Sequence, residues 1–300
     1  MKEVMIIANP SSGKKMAEEY AIKAQSVFKE QGKDAVIKIT EKEADIGTFA
    51  REACEEKYEI IVILGGDGTV SGLGDALKEE TYRPKIGIIP AGTVNNIARG
   101  LGINTNVQQA IEDLGNSVDK KADAGLINDR LFLSSISAGS IPETVWEVSK
   151  ESKEHFGSLA YFFEGIRSLR EEEPFEVTIT LDGSEKTFEL SLLLIGLSNS
   201  VAGIPNFFKD ADYADGKLYL FGLKQSTLGE KISVMTSLFT EDDSLEDEKN
   251  TGFVATFKDG HFESADGSHV ALDGEKGPAF PFDIKVLPSF FTFLVPKTMN

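Results

Sequence analysis

The chain has 300 residues, of which 41% are hydrophobic and 27% are charged, and its formal net charge is −18. This composition is typical of a globular protein with a sizeable core, and the acidity disfavours nucleic acid and anionic membrane surfaces as extended partners. The single Cys54 excludes an intrachain disulfide, and no stretch approaches the roughly 20 apolar residues that span a bilayer. The sequence therefore predicts a cytoplasmic protein with one large or two medium domains.

The first third of the chain alternates strand patterns with helix patterns. Apolar strand patterns occur at residues 4–8, 34–40, 58–64 and 85–90, and helical patterns follow them at 17–32, 43–57, 69–79 and from 95 onward. This alternation is typical of a parallel sheet with helices on both faces. We therefore predict an α/β domain over residues 1–124, and we expect the tail near 290–300 to pack back on it.

The remainder of the chain reads mainly as short β-type segments separated by turn residues. "TLDGSEKTF" has the Asp-Gly signature of a hairpin, and we expect turns at Asp182, Asp259 and Asp266. The sequence predicts a mostly antiparallel β-sandwich domain over residues 125–300. One helical pattern, "SLAYFFEGIRSLR", carries aromatic residues beside arginines, and it fits either packing on the sandwich or contact with a membrane interface.

Three loops rich in small polar residues follow predicted strands of the first domain. They are "NPSSGK" at residues 9–14, "GGDGT" at 65–69 and "PAGTVNNIAR" at 90–99. Because the carboxyl ends of parallel strands meet at one edge, where helix amides bind anions, the three loops together predict a nucleotide site. The glycines allow backbone to approach phosphate, and the side chains that supply donors or positive charge are Ser11, Ser12, Thr69, Thr93, Lys14 and Arg99.

Asp67 places a negative charge in the middle of this predicted phosphate site. One interpretation is an Asp-Gly turn whose carboxylate caps the following helix. The other is a carboxylate that acts through Mg²⁺, which would bridge it to phosphate, since direct contact between two anions is repulsive. We favour the interpretation with a cation.

Carboxylates gather at two further places. "KDADYADGKL" packs Asp210, Asp212 and Asp215 closely, which fits either a hard-cation site or an acidic loop. "LDGEKG" places Asp273 two residues before Glu275, which fits either a pair for proton abstraction or a hairpin turn. His261 and His269 lack the partners of a metal site, and we interpret them as ordinary strand or surface histidines.

Taken together, "NPSSGK", "GGDGTV", "IIPAGTVNNIAR", "DADYADGKLYL" and "LDGE" resemble the diacylglycerol kinase catalytic family over nearly the whole chain. The resemblance implies a nucleotide-binding α/β domain, a β-sandwich domain and an active site in the cleft between them. It implies catalytic Asp273 and Glu275, from which a base would accept the proton of a lipid hydroxyl. It also implies a structural Mg²⁺ site formed by Asp212, Asp215 and the Lys217 carbonyl. The ATP-binding positions that it implies are Asn9, Pro10, Ser11, Ser12, Gly13, Lys14, Thr40, Gly65, Gly66, Asp67, Gly68, Thr69, Thr93, Asn96 and Arg99.

Two departures remove carboxylates that the family carries. Ser71 and Gly72 stand where the family has Asn-Glu, and Asn96 stands where it has Asp. We still expect an ATP- and Mg²⁺-dependent lipid kinase that contacts a membrane surface transiently, binds no nucleic acid and forms a homodimer. The alternatives are a kinase for NAD or another small molecule and a non-catalytic nucleotide-binding regulator.

Overall fold

The computed structural model describes residues 2–10, 16–139, 174–201, 204, 206–227, 229–230 and 251–297. The chain forms two compact units. The first comprises Met1–Ser134, Tyr213–Gly216 and Leu287–Asn300, and the second comprises Ser135–Asp212 and Lys217–Val286. Two segments from late in the chain therefore belong to the first unit.

The first unit is an α/β structure built on a parallel sheet. Its elements alternate along the chain as β1 Val4–Ala8, α1 Ala17–Glu30, β2 Ala35–Ile39, α2 Ala44–Glu55, β3 Ile60–Gly65, α3 Asp67–Leu77, β4 Lys85–Pro90, α4 Asn96–Gly100 and α5 Val107–Leu114. The strand order is β4–β3–β1–β2, and each of these pairs is parallel. The predicted parallel α/β class is confirmed.

The central strands of this sheet are apolar on both faces. All five residues of β1 are buried, and so are all six of β3. Successive side chains of a strand point to opposite faces, so such strands require cover on both sides. Helices α1 and α5 contribute to a cluster with Ile6 and Leu64 on one face. By alternation, Ile7 and Ile63 point to the other face, where α2 and α3 pack against each other.

Two elements of the first unit lie where the sequence patterns predict none. One is α5, which begins after Asn106, whose side chain accepts a hydrogen bond from the backbone N of Gln109 at 3.1 Å. The other is β5 (Ser117–Ile127), which forms an antiparallel hairpin with β6 (Arg130–Phe132). Near the end of the chain, Phe293 pairs in parallel with Ile86 of β4, so the last strand extends the sheet of the first unit.

The second unit is mostly antiparallel β-structure, as predicted. Its strands are β7 Ser135–Ala138, β8 Phe175–Leu181, β9 Ser184–Gly196, β10 Leu218–Lys224, β11 Gly252–Phe257, β12 Asp259–Glu263, β13 His269–Leu272, β14 Glu275–Ala279 and the first part of β15 Phe282–Pro296. They follow the order β14–β13–β7–β9–β8–β12–β15, and β10 pairs with β9 and β11. Each pairing among the described strands of this unit is antiparallel.

The interior of the second unit is rich in aromatic side chains. The rings of Phe262 and Phe282 stack with centroids 5.0 Å apart, and those of Phe207 and Phe221 meet edge to face at 5.5 Å. Such pairs add specific geometry to the burial of apolar area. Among the described residues, no helix is long and apolar enough to cross a membrane. The predicted helix over residues 158–170 lies outside the described residues.

Candidate functional site

The first and second loops meet through Asn9 and Thr69. Asn9 follows β1, and its backbone N donates to the Leu64 carbonyl of β3 at 3.1 Å. Its side-chain Nδ2 donates to Thr69 Oγ1 at 3.3 Å, and Thr69 lies buried in the first turn of α3. The structure therefore brings these two predicted nucleotide residues together at the carboxyl edge of the sheet.

The carboxylate of Asp67 joins the second loop to the third. Asp67 is the first residue of α3, and its Oδ2 and Oδ1 accept hydrogen bonds from the backbone N of Asn96 and of Ile97, each at 3.0 Å. The backbone N–H of Asn95 interacts with the same carboxylate. Three successive amides that converge in this way form a nest, an anion-binding concavity. The Asp67 carboxylate thus caps α4. The interpretation that it caps α3, the helix that follows it in the chain, is wrong, because Asp67 is itself the first residue of α3 and its carboxylate binds amides of α4.

Burial dominates the electrostatics of Asp67. It raises the pKa of this carboxyl above its ordinary value, while the amides of Ile97, Asn96 and Asn95 and the charge of Arg99 act in the opposite direction. A carboxylate removed from water in this way interacts more strongly with any cation that approaches it. The amide contacts and a cation are therefore compatible, because each carboxylate oxygen has more than one acceptor site.

The glycines of the second and third loops are needed where the two backbones touch. A Cβ on Gly92 would lie 2.6 Å from Gly66 Cα, and a Cβ on Gly66 would lie 3.1 Å from Gly92 Cα. Next to this contact, Ala91 N donates to the Gly65 carbonyl at 2.9 Å. Only residues without a side chain permit so close an approach. Loop packing alone thus accounts for two of the glycines that the sequence assigns to a phosphate site.

The other predicted nucleotide residues fall into four groups. Thr93 and Pro10 are exposed, and Arg99 is exposed with its Nε donating to the Val94 carbonyl at 2.9 Å. Thr40 is buried after β2, where its backbone N donates to the Ala8 carbonyl at 3.0 Å. Gly68 is half-buried in the first turn of α3. The residues that lie outside the described part of the chain are Ser11, Ser12, Gly13 and Lys14.

Sequence reasoning missed Asp123, a buried carboxylate of β5. It is 1% exposed, and its side chain accepts hydrogen bonds from Gly216 N at 2.6 Å and Ser289 N at 2.7 Å. Its own backbone N donates to the Tyr213 carbonyl at 2.5 Å. A buried charge is stable only when it is paired or hydrogen-bonded, so Asp123 holds Tyr213–Gly216 on the first unit. An acid in the apolar run "ADAGLI" was the available signal.

The predicted structural Mg²⁺ residues lie around this segment. Asp215 is half-buried within Tyr213–Gly216, while Asp212 and Lys217 are exposed and belong to the second unit. In the described part of the chain, no three His, Cys, Asp or Glu side chains are grouped to hold a metal. Protein-bound Mg²⁺ needs only one or two carboxylates when waters and substrate phosphates complete its shell. The side chains near Asp67 therefore fit Mg²⁺ bound together with a nucleotide, but not a metal cage made by the protein alone.

Asp273 forms the turn between β13 and β14. Its φ is +49° and that of Gly274 is +87°, and Leu272 pairs with Glu275 across the turn. The Asp273 backbone N donates to the Ser135 carbonyl at 2.8 Å, and its Oδ1 accepts from Ser135 N at 2.9 Å. Asp273 is half-buried and Glu275 is exposed. The hairpin interpretation is confirmed.

The other Asp-Gly pairs confirm two expectations and correct a third. Asp182 lies in a hairpin turn with φ +46°, and Asp266 lies in a turn where its Oδ1 accepts from Ser268 N at 3.0 Å. Asp259 was expected in a turn, and this is wrong because it begins β12 and pairs with Lys285 of β15. The glycine after it allows this, since a Cβ on Gly260 would lie only 2.9 Å from the Phe262 ring.

A family model, relatives of known name and a solved structure all indicate the same family. The family described as the diacylglycerol kinase catalytic domain matches residues 3–127. The diacylglycerol kinase of Staphylococcus carnosus is 30% identical over 100% of this chain and 97% of its own. That of Bacillus subtilis is 32% identical over 79% of this chain and 78% of its own. The crystal structure of a diacylglycerol kinase from Bacillus anthracis superposes with a TM-score of 0.79 at 27% identity, covering 98% of this chain and 96% of that one.

Proposed function

Because the chain belongs to the diacylglycerol kinase catalytic family, we propose that it is a kinase that transfers the γ-phosphate of ATP to the hydroxyl of a diacylglycerol-like lipid. Kinase activity is the property that the named relatives share, and the lipid acceptor and the use of ATP are the specific parts of this proposal. The likeness extends over the whole chain, so it includes the second unit as well as the nucleotide loops.

The convergence of the nucleotide loops is the observation that carries the proposal. Asn9 contacts Thr69, Asp67 binds the amides that open α4, and Gly66 packs on Gly92. These contacts fix backbone amides, glycines and hydroxyl groups at the carboxyl edge of one parallel sheet. This is the position at which open α/β sheets bind nucleotides. A triphosphate on this edge fits the exposed Arg99 as a source of positive charge.

Mg²⁺ bound with ATP would neutralise charge on the phosphates as the γ-phosphoryl group is transferred. Asp67 is the residue of the described loops best suited to hold that ion, directly or through water, because its carboxylate is half-buried and fixed in place. The chain itself supplies little covalent chemistry. Phosphoryl transfer depends mainly on positioning and charge neutralisation, so a site made largely of loop backbone is sufficient.

Asp273 is the proposed general base. The lipid hydroxyl oxygen would attack the γ-phosphorus, the bond from that phosphorus to the ADP oxygen would break, and the hydroxyl proton would pass to the Asp273 carboxylate. The turn fixes this carboxylate through Ser135 N, which limits the rotamers that it can adopt. The neighbouring Glu275, which is exposed, is the second candidate for this role.

A lipid acceptor requires a membrane encounter. The net charge of −18 opposes attachment to anionic lipid over a large surface, so we propose a cytoplasmic protein with brief, local membrane contact. The predicted helix at residues 158–170 remains the candidate for that contact, and it lies outside the described residues. A homodimer is part of the same proposal, and sedimentation at micromolar concentration would test it.

The deciding experiment offers radiolabelled ATP and Mg²⁺ with a panel of acceptors. The panel contains diacylglycerol in mixed micelles, a sphingoid base and NAD, and the products are separated by thin-layer chromatography. Labelled phosphatidic acid is the expected product. Label on NAD alone would replace the proposal with a small-molecule kinase. Binding of ATP without transfer to any acceptor across a range of Mg²⁺ concentrations would indicate the non-catalytic regulator. The reason to consider a regulator is that Gly72 and Asn96 stand where the family has acids.

A further inference from the structure

Asn95 has a backbone conformation that few residue types adopt. Its φ and ψ are +55° and +49°, in the left-handed region, and it stands immediately before α4. Asparagine tolerates this region better than most residues with a side chain. The next residues are helical, and this change of conformation turns three successive amides towards the Asp67 carboxylate. The conformation of Asn95 therefore creates the nest that Asp67 fills.

The side chain of Asn95 fixes the third loop at Gly92. It is 6% exposed, its Oδ1 accepts from Gly92 N at 3.0 Å, and its Nδ2 donates to the Gly92 carbonyl at 2.9 Å. Both the oxygen and the nitrogen of the side-chain amide thus bond to the backbone of Gly92. Gly92 in turn packs on Gly66. The side chain cannot be replaced by an aspartate without losing the donor, or by a longer glutamine without displacing this contact.

We propose that Asn95 is a positioning residue that holds the second and third loops together in the form that binds nucleotide. It acts through Asp67 on one side and Gly92 on the other, and it is buried rather than turned towards a ligand. This role rests on the proposed function only in taking the loops as a nucleotide site. The family resemblance assigned its neighbour Asn96 to that site and did not include Asn95.

The chain contains a matched control for this residue. Asn128 is also left-handed, with φ +51°, and it lies in the turn between β5 and β6 of the same unit. That turn contacts the far end of α3, where Lys78 Nζ donates to the Asp129 carbonyl. The eleven residues of α3 separate this end from Asp67 by about 16 Å. Glycine adopts the left-handed conformation freely, so Asn95→Gly and Asn128→Gly each keep the backbone and remove the side chain.

The test measures binding of a non-hydrolysable ATP analogue with Mg²⁺ by calorimetry, together with thermal unfolding of each variant. Asn95→Gly is expected to weaken binding at least about tenfold, the loss that one or two hydrogen bonds can cause, while Asn128→Gly binds as the wild type does. In the kinase assay, Asn95→Gly should raise KM for ATP and leave KM for the lipid unchanged. Asn95→Asp, which lacks the donor to the Gly92 carbonyl, should also raise KM for ATP.

Two results would overturn the role of Asn95. One is an Asn95→Gly variant that binds the analogue as tightly as the wild type. The other is an equal loss of binding in both glycine variants, which would indicate general destabilisation. A wild type that binds the analogue but phosphorylates no lipid removes the proposed lipid kinase, and the binding arm still decides the role of Asn95. A wild type that does not bind the analogue removes both.

Discussion

Two Asp-Gly hairpins in the second unit have nearly the same backbone and different surroundings. Asp182 and Gly183 have φ values of +46° and +85°, and Asp273 and Gly274 have +49° and +87°. Each pair connects two antiparallel strands whose end residues face each other directly across the turn. Positive φ at both central residues is characteristic of the tight turn that matches the twist of a hairpin. The backbone alone therefore gives no reason to assign chemistry to one hairpin and not to the other.

The carboxylates of the two hairpins also accept similar hydrogen bonds from backbone amides. Asp182 Oδ1 accepts from the backbone N of Lys258 and of Asp259, at 3.1 and 3.0 Å, and Asp273 Oδ1 accepts from Ser135 N at 2.9 Å. They differ in the residue after the glycine, which is Ser184 in one and Glu275 in the other. An aspartate in a turn is thus explained by the turn. The turn gives no reason for the carboxylate of Glu275, and this residue distinguishes the proposed catalytic hairpin from the Asp182 hairpin.

The largest expected difference between the hairpins is in catalysis. Asp273→Asn keeps a residue that tolerates left-handed φ and an oxygen that can accept from Ser135 N, but it removes the proton acceptor. We expect kcat for lipid phosphorylation to fall by about 10³-fold, within the range for loss of a general base, while ATP binding persists. Asp182→Asn makes the same chemical change in the matched turn and should leave kcat unchanged. Initial rates with radiolabelled ATP measure both.

Glu275→Gln completes this comparison. A smaller loss of kcat than in Asp273→Asn is expected, because the exposed Glu275 is not held by the turn. Wild-type kcat in Asp273→Asn, with a large loss in Glu275→Gln, would exchange the two roles. Loss of ATP binding in Asp273→Asn would show instead that the carboxylate is structural, and an equal loss of kcat in Asp182→Asn would remove the distinction between the hairpins.

Substitution of the turn glycine should affect the stability of the two hairpins equally. A Cβ on Gly183 or Gly274 would meet no atom within 4 Å, so alanine at either position is opposed only by its left-handed backbone. That strain costs about 1–2 kcal/mol per residue. We expect similar decreases in the urea midpoint of unfolding for Gly183→Ala and Gly274→Ala, and a decrease in kcat for Gly274→Ala alone, because it moves Asp273. A much larger loss of stability at one site would mean that the turns are not equivalent.

The features that the sequence predicted correctly are those that depend on residues close together in the chain. The strands of the parallel sheet are continuous apolar runs, and the loops after them converge because parallel strands have their carboxyl ends at one edge. Asp182 and Asp266 also follow local turn chemistry. Other features depend on distant partners. The acid in "ADAGLI" indicates a buried carboxylate, but no sequence pattern indicates that Asp123 binds Gly216 and Ser289. Asn95 is important because Gly92 lies against Gly66, and no sequence pattern indicates that contact either.

The same limit explains one turn that was wrongly predicted and one strand that was not predicted. Asp259 has the turn dipeptide, but pairing with β8 and β15 on either side extends it into a strand. β5 carries charged residues at 119–121 that interrupt its apolar pattern, whereas most residues of its second half are buried. Tertiary pairing overrides local preference in both cases.

The smallest expected difference concerns a histidine on the strand that pairs with the Asp182 hairpin. His261 lies on β12, which pairs with β8, and its Nδ1 is 2.7 Å from Asp283 Oδ1 while its Nε2 is 3.1 Å from Glu263 Oε1. The hydrogen bond to Asp283, followed by that to Glu263, raises the pKa of His261 above its ordinary value. In the Asp273 hairpin, His269 Nδ1 instead contacts the Gly277 carbonyl, at 3.0 Å.

This difference predicts a pH-dependent contribution to stability from His261. Because its pKa is higher in the folded protein than in the unfolded chain, the stabilisation is fully present below about pH 6.5 and is lost as the pH rises through the folded pKa. The side chain is 40% exposed, so solvent screening keeps the effect below about 0.5 kcal/mol. His261→Gln should therefore lower the melting temperature slightly at pH 6 and not at pH 9, with Asp283→Asn reducing the same difference. An equal change at both pH values would mean that His261 acts through packing and not through its charge.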